Sequence, residues 1–200
     1  MRISTTRLTL IRHAPSAATR RSAFPLDEPP DARGLDEARG LASRLGRFDA
    51  AWSGPALRAR QTAEALGLTA TVAPELDECD FGTWRGRTLA ELHADDPVAV
   101  AAWMEDPAAA PHGGESLLAL LERVRGWLAA RADDGSRTVA VTHAGVIRAA
   151  VVCALEAPPL AFWRAFWVGK LVESVMPMRD TLPALSTAIA PAVSLLVPPR

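Results

Sequence analysis

The sequence has few cysteines, and neither is placed as a disulfide framework or a metal site would require. Cys79 and Cys153 are the only two among 200 residues. They form no Cys-x-x-Cys pair and have no spacing typical of metal ligands. We therefore expect a reduced, cytoplasmic protein with two ordinary thiols, and the sequence shows no site for a metal ion or another cofactor.

The chain also lacks an excess of charge of either sign. Its 22 lysines and arginines nearly balance 23 aspartates and glutamates, which gives a formal net charge of −1. No overall field then attracts nucleic acid or acidic lipid, so neither is an expected partner. Any site for an anion has to be built locally.

Long apolar runs are missing as well. The N-terminal residues are interrupted by Arg2 and Arg7 and do not resemble a signal peptide. The apolar stretch 182–197 is interrupted by Pro183 and Pro191, which makes it too short for a good membrane span. With 49% hydrophobic and 22% charged residues, the composition is that of a globular protein.

Strand-like and helix-like patterns alternate along the chain. Short apolar runs predict strands at residues 7–13, 48–52, 69–73 and 138–142. Helical spacing is found over 35–45, 53–66 and 116–130, a helix follows from 145 to 155, and the signal is weaker over 89–104. Ser53 and Ser116 are suited to be N-caps. The alternation predicts one α/β domain, with a largely parallel central sheet and helices on both faces. We place this domain at residues 1–168. The pattern does not define the structure of a C-terminal segment 169–200, which either packs as a strand and loops or follows the surface.

Three of the predicted strands end near residues that can bind or transfer phosphate. The first ends in Arg12 and His13, the second precedes a helix that carries Arg58, and the last ends at His143, where a helix begins with Ala144. Ligands of open α/β sheets bind at the carboxyl ends of the strands. If the strands are parallel neighbours, both histidines and both arginines converge on one pocket.

Such a pocket has the chemistry for phosphoryl transfer. Arginine forks match phosphate oxygens, and the N–H groups at a helix start bind anions. A neutral imidazole is a competent nucleophile toward phosphorus. The departing alkoxide needs a proton, and Glu78, beside Asp77 and Asp80, is the natural acid because like charges and burial raise a carboxyl pKa.

Each of these residues also has an ordinary structural interpretation. A histidine at a strand end is often a satisfied core residue, an arginine on a helix is often solvated, and Glu78 alone is a loop carboxylate. The other two histidines are less promising. We expect His93 on the surface, and His112 either at the rim of a site or facing solvent.

Four sequence blocks, in order, complete the pattern. They are LTLIRHAPS at 8–16, SGPALRARQTAEAL at 53–66, LDECDFGTWRG at 76–86 and VTHAGVIRAAV at 141–151, with HGGES at 112–116 before the third helix. Together they resemble the histidine phosphatase superfamily, which includes cofactor-dependent phosphoglycerate mutases and α-ribazole phosphatases. The resemblance covers most of residues 7–155 and implies a phosphoglycerate mutase-like fold.

The resemblance also implies a role for each matching residue. His13 would be the phosphorylated nucleophile, and Glu78 would protonate the leaving group and then activate water. The implied phosphoryl-binding groups are Arg12, Arg58, His143, Ser16 and the backbone N–H of Ala144. We place His112, Trp84 and Arg85 at the rim of the substrate site. No metal is required.

The chain departs from the family pattern in three places. Ala14 replaces a glycine, which is tolerated unless the backbone there has a positive φ. Arg85 stands where related sequences often have glutamate, so the rim would be more basic. The segment after Val168 does not match the strand with which the family usually ends.

The blocks leave the exact activity open. A phosphatase is favoured over a phosphoglycerate mutase-type transferase because the interval from Glu78 to His143 is compact, and over a non-catalytic phospholigand-binding module because no site residue is lost. The expected partner is a small phosphorylated metabolite, with α-ribazole 5′-phosphate as the first candidate. Trp84, Trp103 and Phe24 either line the ligand or belong to the core. A homodimer is left open.

Overall fold

The sheet is largely parallel, as the sequence predicts. The computed structural model describes residues 6–131 and 135–164, and the backbone of 173–178. In this part of the chain the strands are β1 Thr6–Arg12, β2 Ala50–Ser53, β3 Thr71–Val72, β4 Arg137–Thr142 and β5 Glu173–Met178. Their order is β3-β2-β4-β1-β5, in which all neighbours are parallel except β5, which runs antiparallel to β1.

The helices lie between the strands in sequence. Their bounds are α1 Ala17–Arg21, α2 Ala32–Leu41, α3 Leu57–Ala65, α4 Leu89–Asp95, α5 Pro97–Glu105, α6 Leu117–Ala129, α7 Ala144–Ala154 and α8 Ala161–Arg164. Short 3₁₀ turns occupy Ala42–Arg44, Pro74–Leu76 and Gly82–Trp84. None of the helices in the described residues is both long and apolar enough to cross a membrane.

Helices cover both faces of the sheet. Successive strand side chains point to opposite faces, so Leu8 and Leu10 of β1 join the core built with α6 and α7, whereas Ile11 joins the core built with α2 and α3. Strand β4 lies between β1 and β2 and is buried on both sides, which explains the continuous apolar run Val139, Ala140 and Val141 at its centre.

A smaller third core consists mainly of aromatic residues. Trp84, Leu92 and Val100 are buried there, and Phe24 and Trp103 pack against them. We call this set the aromatic cluster. It joins the segment 76–86 to α4 and α5, which lie beyond the edge of the main cores.

Of the two predicted N-caps, one is confirmed by the structure and the other is wrong. Ser116 is the N-cap of α6 and accepts a hydrogen bond from the Ala119 N–H, as predicted. Ser53 is not a cap, because it remains in β2, paired with Val141, and α3 begins only at Leu57. The weak helical signal over 89–104 corresponds to two helices, since Asp96 caps α5 and Pro97 prevents α4 from continuing.

The C-terminal segment contributes a strand to the edge of the sheet. Strand β5 pairs with β1 from Thr6↔Met178 to Ile11↔Glu173. The domain boundary that we placed at residue 168 lies outside the described residues.

Candidate active site

His13 is buried at the carboxyl end of β1 with its proton position defined. Its N–H continues the strand ladder by bonding the Thr142 carbonyl at 2.8 Å, and only 6% of the residue is exposed. Nδ1 lies 2.7 Å from the Ala14 carbonyl oxygen, which can only accept a hydrogen bond. Nδ1 therefore carries the proton, and the Nε2 lone pair of the neutral ring is available as a nucleophile.

The surroundings keep His13 neutral. Burial, followed by the positive charges of Arg58 and Arg12, lowers the pKa of His13 to about 3, although the hydrogen bond to Ala14 opposes this shift. The His13 imidazole is therefore unprotonated at neutral pH, and its Nδ1–H is bonded to a backbone carbonyl and not to a carboxylate.

The second histidine lies against the first. The ring centroids of His13 and His143 are 5.0 Å apart, and His143 is fully buried at the N-cap of α7. Burial lowers the pKa of His143 well below its usual value, and so do the charge that His13 carries when protonated and the charge of Arg58. Neither ring nitrogen has a hydrogen-bond partner in the described part of the chain. Asp77 Oδ1 lies 3.7 Å from Nε2, which is too far for a hydrogen bond. A buried polar ring of this kind is suited to bind an incoming oxygen atom.

Two arginines supply positive charge to the same place. Arg58, in the first turn of α3, is 3% exposed and donates from one terminal nitrogen to the Leu26 carbonyl at 2.8 Å, while its buried Nε has no partner among the described residues. Arg12 is half-buried, and burial lowers its pKa while the charge of Glu78 raises it. The carboxyl end of the sheet therefore carries a local positive field in a chain of net charge −1.

Glu78 brings a carboxyl group to the start of α7. A methyl group built on Gly145 would come within 2.3 Å of Glu78 Oε1, so the carboxylate lies directly against the backbone there. Burial of the carboxyl raises its pKa, although the Cys79 N–H and the charges of Arg58 and Arg12 oppose the shift. Glu78 is thus a carboxyl that favours its protonated form more than a free one does.

The segment that carries Glu78 is held by residues to which we assigned no role from the sequence. Arg123 of α6 donates to both carboxylate oxygens of Glu115, at 2.8 and 2.6 Å, and to the carbonyls of Glu75 and Asp77. Such a two-pronged arginine contact is geometrically specific. The sequence signal for this contact is the HGGES block, which contains Glu115 one residue before the N-cap of α6.

Thr62 connects α3 to the loop after His13, and it too was missed. Its buried hydroxyl donates to the Arg58 carbonyl at 2.6 Å and accepts from the Ala14 N–H at 2.9 Å. Ala14 does not have a positive φ, so its Cβ is tolerated as expected. Space for the loop comes from Gly34, where a methyl group would lie 2.9 Å from Pro15 Cδ.

Ser16 and Ala144 lie at helix starts. Ser16 is the N-cap of α1, and its buried hydroxyl donates to Glu28 at 2.7 Å. Ala144 is the first residue of α7, directly after His143, where backbone N–H groups have no intrahelical acceptor. The geometry for anion binding is therefore clearer at Ala144 than at Ser16, whose hydroxyl hydrogen is used within the chain.

The residues expected at the substrate rim are mostly internal. His112 does not face solvent: it is 1% exposed, and its Nδ1 accepts from the Gly114 N–H at 3.0 Å. Trp84 is buried in the aromatic cluster. Arg85 is half-exposed and forms an ion pair with Asp80 at 2.8 Å, which offsets the extra positive charge that we expected there.

In the residues that the structure describes, no group of three or more His, Cys, Asp or Glu side chains could hold a metal ion. The positive charge near His13 comes from arginine side chains and a helix start.

Comparison with known proteins agrees with this geometry. Residues 8–179 match the histidine phosphatase superfamily (branch 1), and the chain belongs to that superfamily. It is 33% identical to a bifunctional protein of Mycobacterium tuberculosis over 171 residues, which are 76% of this chain and 45% of that protein. It is 40% identical to a glucosyl-3-phosphoglycerate phosphatase of the same species over 112 residues, 51% of this chain and 50% of the other.

A solved structure extends the similarity to the whole fold. The crystal structure of a putative α-ribazole-5′-P phosphatase from Escherichia coli superposes with a TM-score of 0.77 at 27% identity, covering 88% of this chain and 91% of that one. The chain spans only about half the length of the mycobacterial relatives, so their activities are not transferred to it by similarity alone.

Proposed function

We propose that this protein is a metal-independent phosphomonoesterase that acts through a phosphohistidine intermediate on a small phosphorylated metabolite. The observation that carries the proposal is the state of His13: a neutral ring, with Nδ1–H held by the Ala14 carbonyl, buried beside His143 and exposed to the charges of two arginines. This arrangement presents a nucleophile to a phosphoryl group whose negative charge the arginines neutralise.

In the first step, His13 Nε2 attacks phosphorus. A nitrogen–phosphorus bond forms as the bond from phosphorus to the leaving oxygen breaks, and Glu78 gives its proton to that oxygen. Positive charge develops on the imidazole ring and is stabilised by the Nδ1–H bond to Ala14. Arg12, Arg58, His143 and the N–H of Ala144 bind the phosphoryl oxygens.

In the second step, water clears the intermediate. Glu78, now a carboxylate, takes a proton from water as its oxygen attacks phosphorus, and the bond to Nε2 breaks. Inorganic phosphate leaves, His13 returns to its neutral form and Glu78 is protonated again. The raised pKa of Glu78 suits both directions of proton transfer.

The compact interval between Glu78 and His143 favours water as the acceptor over a second substrate. The elements described in this interval are the short turn Gly82–Trp84, α4, α5, α6 and β4, and this compactness favours hydrolysis over mutase-type transfer. We propose α-ribazole 5′-phosphate as the first substrate to test, and the likeness to the E. coli structure supports this choice. Glucosyl-3-phosphoglycerate is the second, supported by the mycobacterial relative.

The test is a panel of phosphomonoesters assayed in the presence of a chelator. We expect turnover that survives the chelator and disappears in His13→Ala, with phosphohistidine detected by mass after an alkaline quench. His93→Ala is the matched control, because His93 is an exposed histidine on α4. Turnover that persists in His13→Ala would contradict the proposal, and so would turnover that needs added metal.

A further inference from the structure

A small cavity adjoins Glu78 on the side of the aromatic cluster. Its volume is about 170 Å³, and its walls include Phe24, Phe81 and Trp103. Among the described residues that line it, Glu78 and Arg148 are the two that carry charge. Because Glu78 would deliver a proton to the leaving oxygen, a cavity that Glu78 lines is placed to receive the leaving group.

Arg148 lies on the part of α7 that faces this cavity. It follows Ala144 by four residues and Gly145 by three, so all three share one face of the helix. The side chain is half-buried, and its Nε is inaccessible to water without a hydrogen-bond partner among the described residues. Its guanidinium carbon lies 5.8 Å from the centre of the Phe162 ring.

The contrast with Arg123 shows what Arg148 lacks. Arg123 is also partly buried, but it holds the Glu115 carboxylate with two nitrogens. No carboxylate in the described part of the chain lies within ion-pair distance of Arg148, even though it shares the cavity with Glu78. The buried Nε of Arg148 thus lacks an acceptor among the described residues, and Glu78 interacts with its charge without direct contact. A carboxylate on a ligand would supply that contact.

We propose that Arg148 binds a carboxylate carried by the leaving group, so that the enzyme prefers phosphate esters of small hydroxy acids. This inference rests on the proposed phosphatase function and names its substrate class. The planar fork of arginine matches a carboxylate with two parallel hydrogen bonds. The cavity is smaller than the roughly 300–1,000 Å³ typical of pockets for larger ligands, which favours a short acid.

A neutral leaving group would leave the guanidinium unpaired in the complex. Sites built to bond a polar group reject analogues that lack it. A hydrogen bond to a charged group contributes enough to change kcat/KM by about 10- to 100-fold. The inference therefore ranks a carboxylate-bearing ester above α-ribazole 5′-phosphate.

The test compares two substrates that differ at one group. In 3-phosphoglycerate a carboxylate stands where glycerol 3-phosphate has a hydroxymethyl group, and 4-nitrophenyl phosphate serves as a reference without either. We expect the wild type to prefer 3-phosphoglycerate by about 10-fold or more in kcat/KM, and Arg148→Met to lose that preference while keeping its activity on the other two. Arg148→Lys should restore part of it. Arg39→Gln, an exposed and ion-paired arginine on α2, is the control and should behave as the wild type.

Three results would overturn the inference. A wild type that hydrolyses 4-nitrophenyl phosphate but treats the two matched substrates alike would show that no carboxylate is recognised. An equal loss on all three substrates in Arg148→Met, with a displaced pH profile, would assign Arg148 to positioning Glu78 instead. No turnover of any ester by the wild type would remove the proposed function itself, and the inference with it.

Discussion

At the scale of single residues, the chemistry depends on where protons are held. The sequence identifies His13 and Glu78 by their blocks, but it does not reveal that the Ala14 carbonyl fixes the tautomer of His13 or that Gly145 lies against the Glu78 carboxyl. Both facts depend on the path of the backbone beyond a strand or at a helix start. Sequence spacing predicts which residues meet, and the fold decides which atom of each is available.

Replacement of Glu78 should affect substrates according to their leaving groups. Glu78→Gln removes the proton donor, so we expect kcat for an alkyl phosphate to fall by about 100- to 10,000-fold. For 4-nitrophenyl phosphate, whose leaving group needs no proton, the loss in the first step should be far smaller. Parallel steady-state assays on the two esters, with burst-phase measurement of the first step, check this, and an equal loss of the first step on both would contradict the role of Glu78.

The same residue sets the pH dependence of the wild type. Glu78 must be protonated to act as an acid, and burial raises its pKa, so activity on an alkyl phosphate should decline as pH rises through that raised value. On the acid side, His13 keeps its nucleophilic form down to about pH 3. A kcat/KM profile that stays flat far into alkaline pH would contradict this assignment.

Gly145 is predicted to tolerate a methyl group for folding but not for catalysis. In Gly145→Ala the new Cβ would meet Oε1 at the end of the flexible Glu78 side chain, so the carboxyl should move while stability changes little. We expect a loss of up to about 100-fold in kcat on alkyl phosphates, because a displaced catalytic group is poorly oriented. Kinetics together with urea unfolding would separate the two effects.

Gly126→Ala is the matched control for that substitution. Gly126 is exposed in α6, and a methyl group there would touch nothing within 4 Å. It should raise the free energy of unfolding by about 0.5–1 kcal/mol and leave activity unchanged. If Gly145→Ala behaved in the same way, Glu78 would not be held against α7 in solution.

At the scale of secondary-structure elements, the spacing of apolar residues predicts helices and strands more accurately than capping residues predict where a helix begins. Apolar spacing at Leu35, Ala38 and Leu41 indicated the second helix correctly, and buried runs indicated β1 and β4. Ser53 was assigned wrongly as a cap because pairing with Val141 in the sheet competes with capping, and the sequence does not show that pairing. The clamp formed by Arg123 and Glu115 joins a helix to a loop eight residues away, and an eight-residue spacing by itself predicts no such contact.

The hydrogen bond from the Ala14 N–H, just after β1, to the Thr62 hydroxyl of α3 can be tested by substitution. In Thr62→Val the buried Ala14 N–H loses its acceptor, so we expect unfolding to become easier by about 1–3 kcal/mol. Thr62→Ser keeps the hydroxyl and should recover most of the hydrogen-bond contribution. Guanidinium unfolding of the three proteins measures this. Equal stability of the valine and serine variants would show that the hydroxyl does not hold the loop after His13.

At the scale of the whole molecule, the fold brings positive charge together at one edge of the sheet, although the chain as a whole is nearly neutral. Net charge is −1 overall, yet Arg12, Arg58 and the start of α7 meet at the carboxyl ends of neighbouring parallel strands. That convergence could be predicted from the strand order expected of an α/β sheet. The burial of His112 could not, because its place beneath the aromatic cluster depends on how two loops pack.

Keeping His13 neutral should make the folded state sensitive to acid. The folded pKa is about 3, below the usual 6.5, so the unfolded chain binds a proton more readily than the folded one. Stability is therefore complete above about pH 6.5 and is lost as pH falls toward 3. At pH 4.5 the loss from this group is about 3 kcal/mol, because pH 4.5 lies two units below the usual pKa of 6.5 and each unit corresponds to about 1.4 kcal/mol.

His13→Asn cannot take up that proton, and it should lose less stability than the wild type on acidification. Urea unfolding at pH 7.5 and 4.5 measures the difference in stability between the two proteins, which we expect to shift by about 3 kcal/mol in favour of the variant at the lower pH. Because His143 is present in both, the difference reports His13 and its coupling to that ring. His93→Asn replaces an exposed side chain and should follow the wild type at both pH values. If wild type and His13→Asn lost stability in parallel, His13 would not be excluded from protonation by the fold, and its neutral state would need another origin.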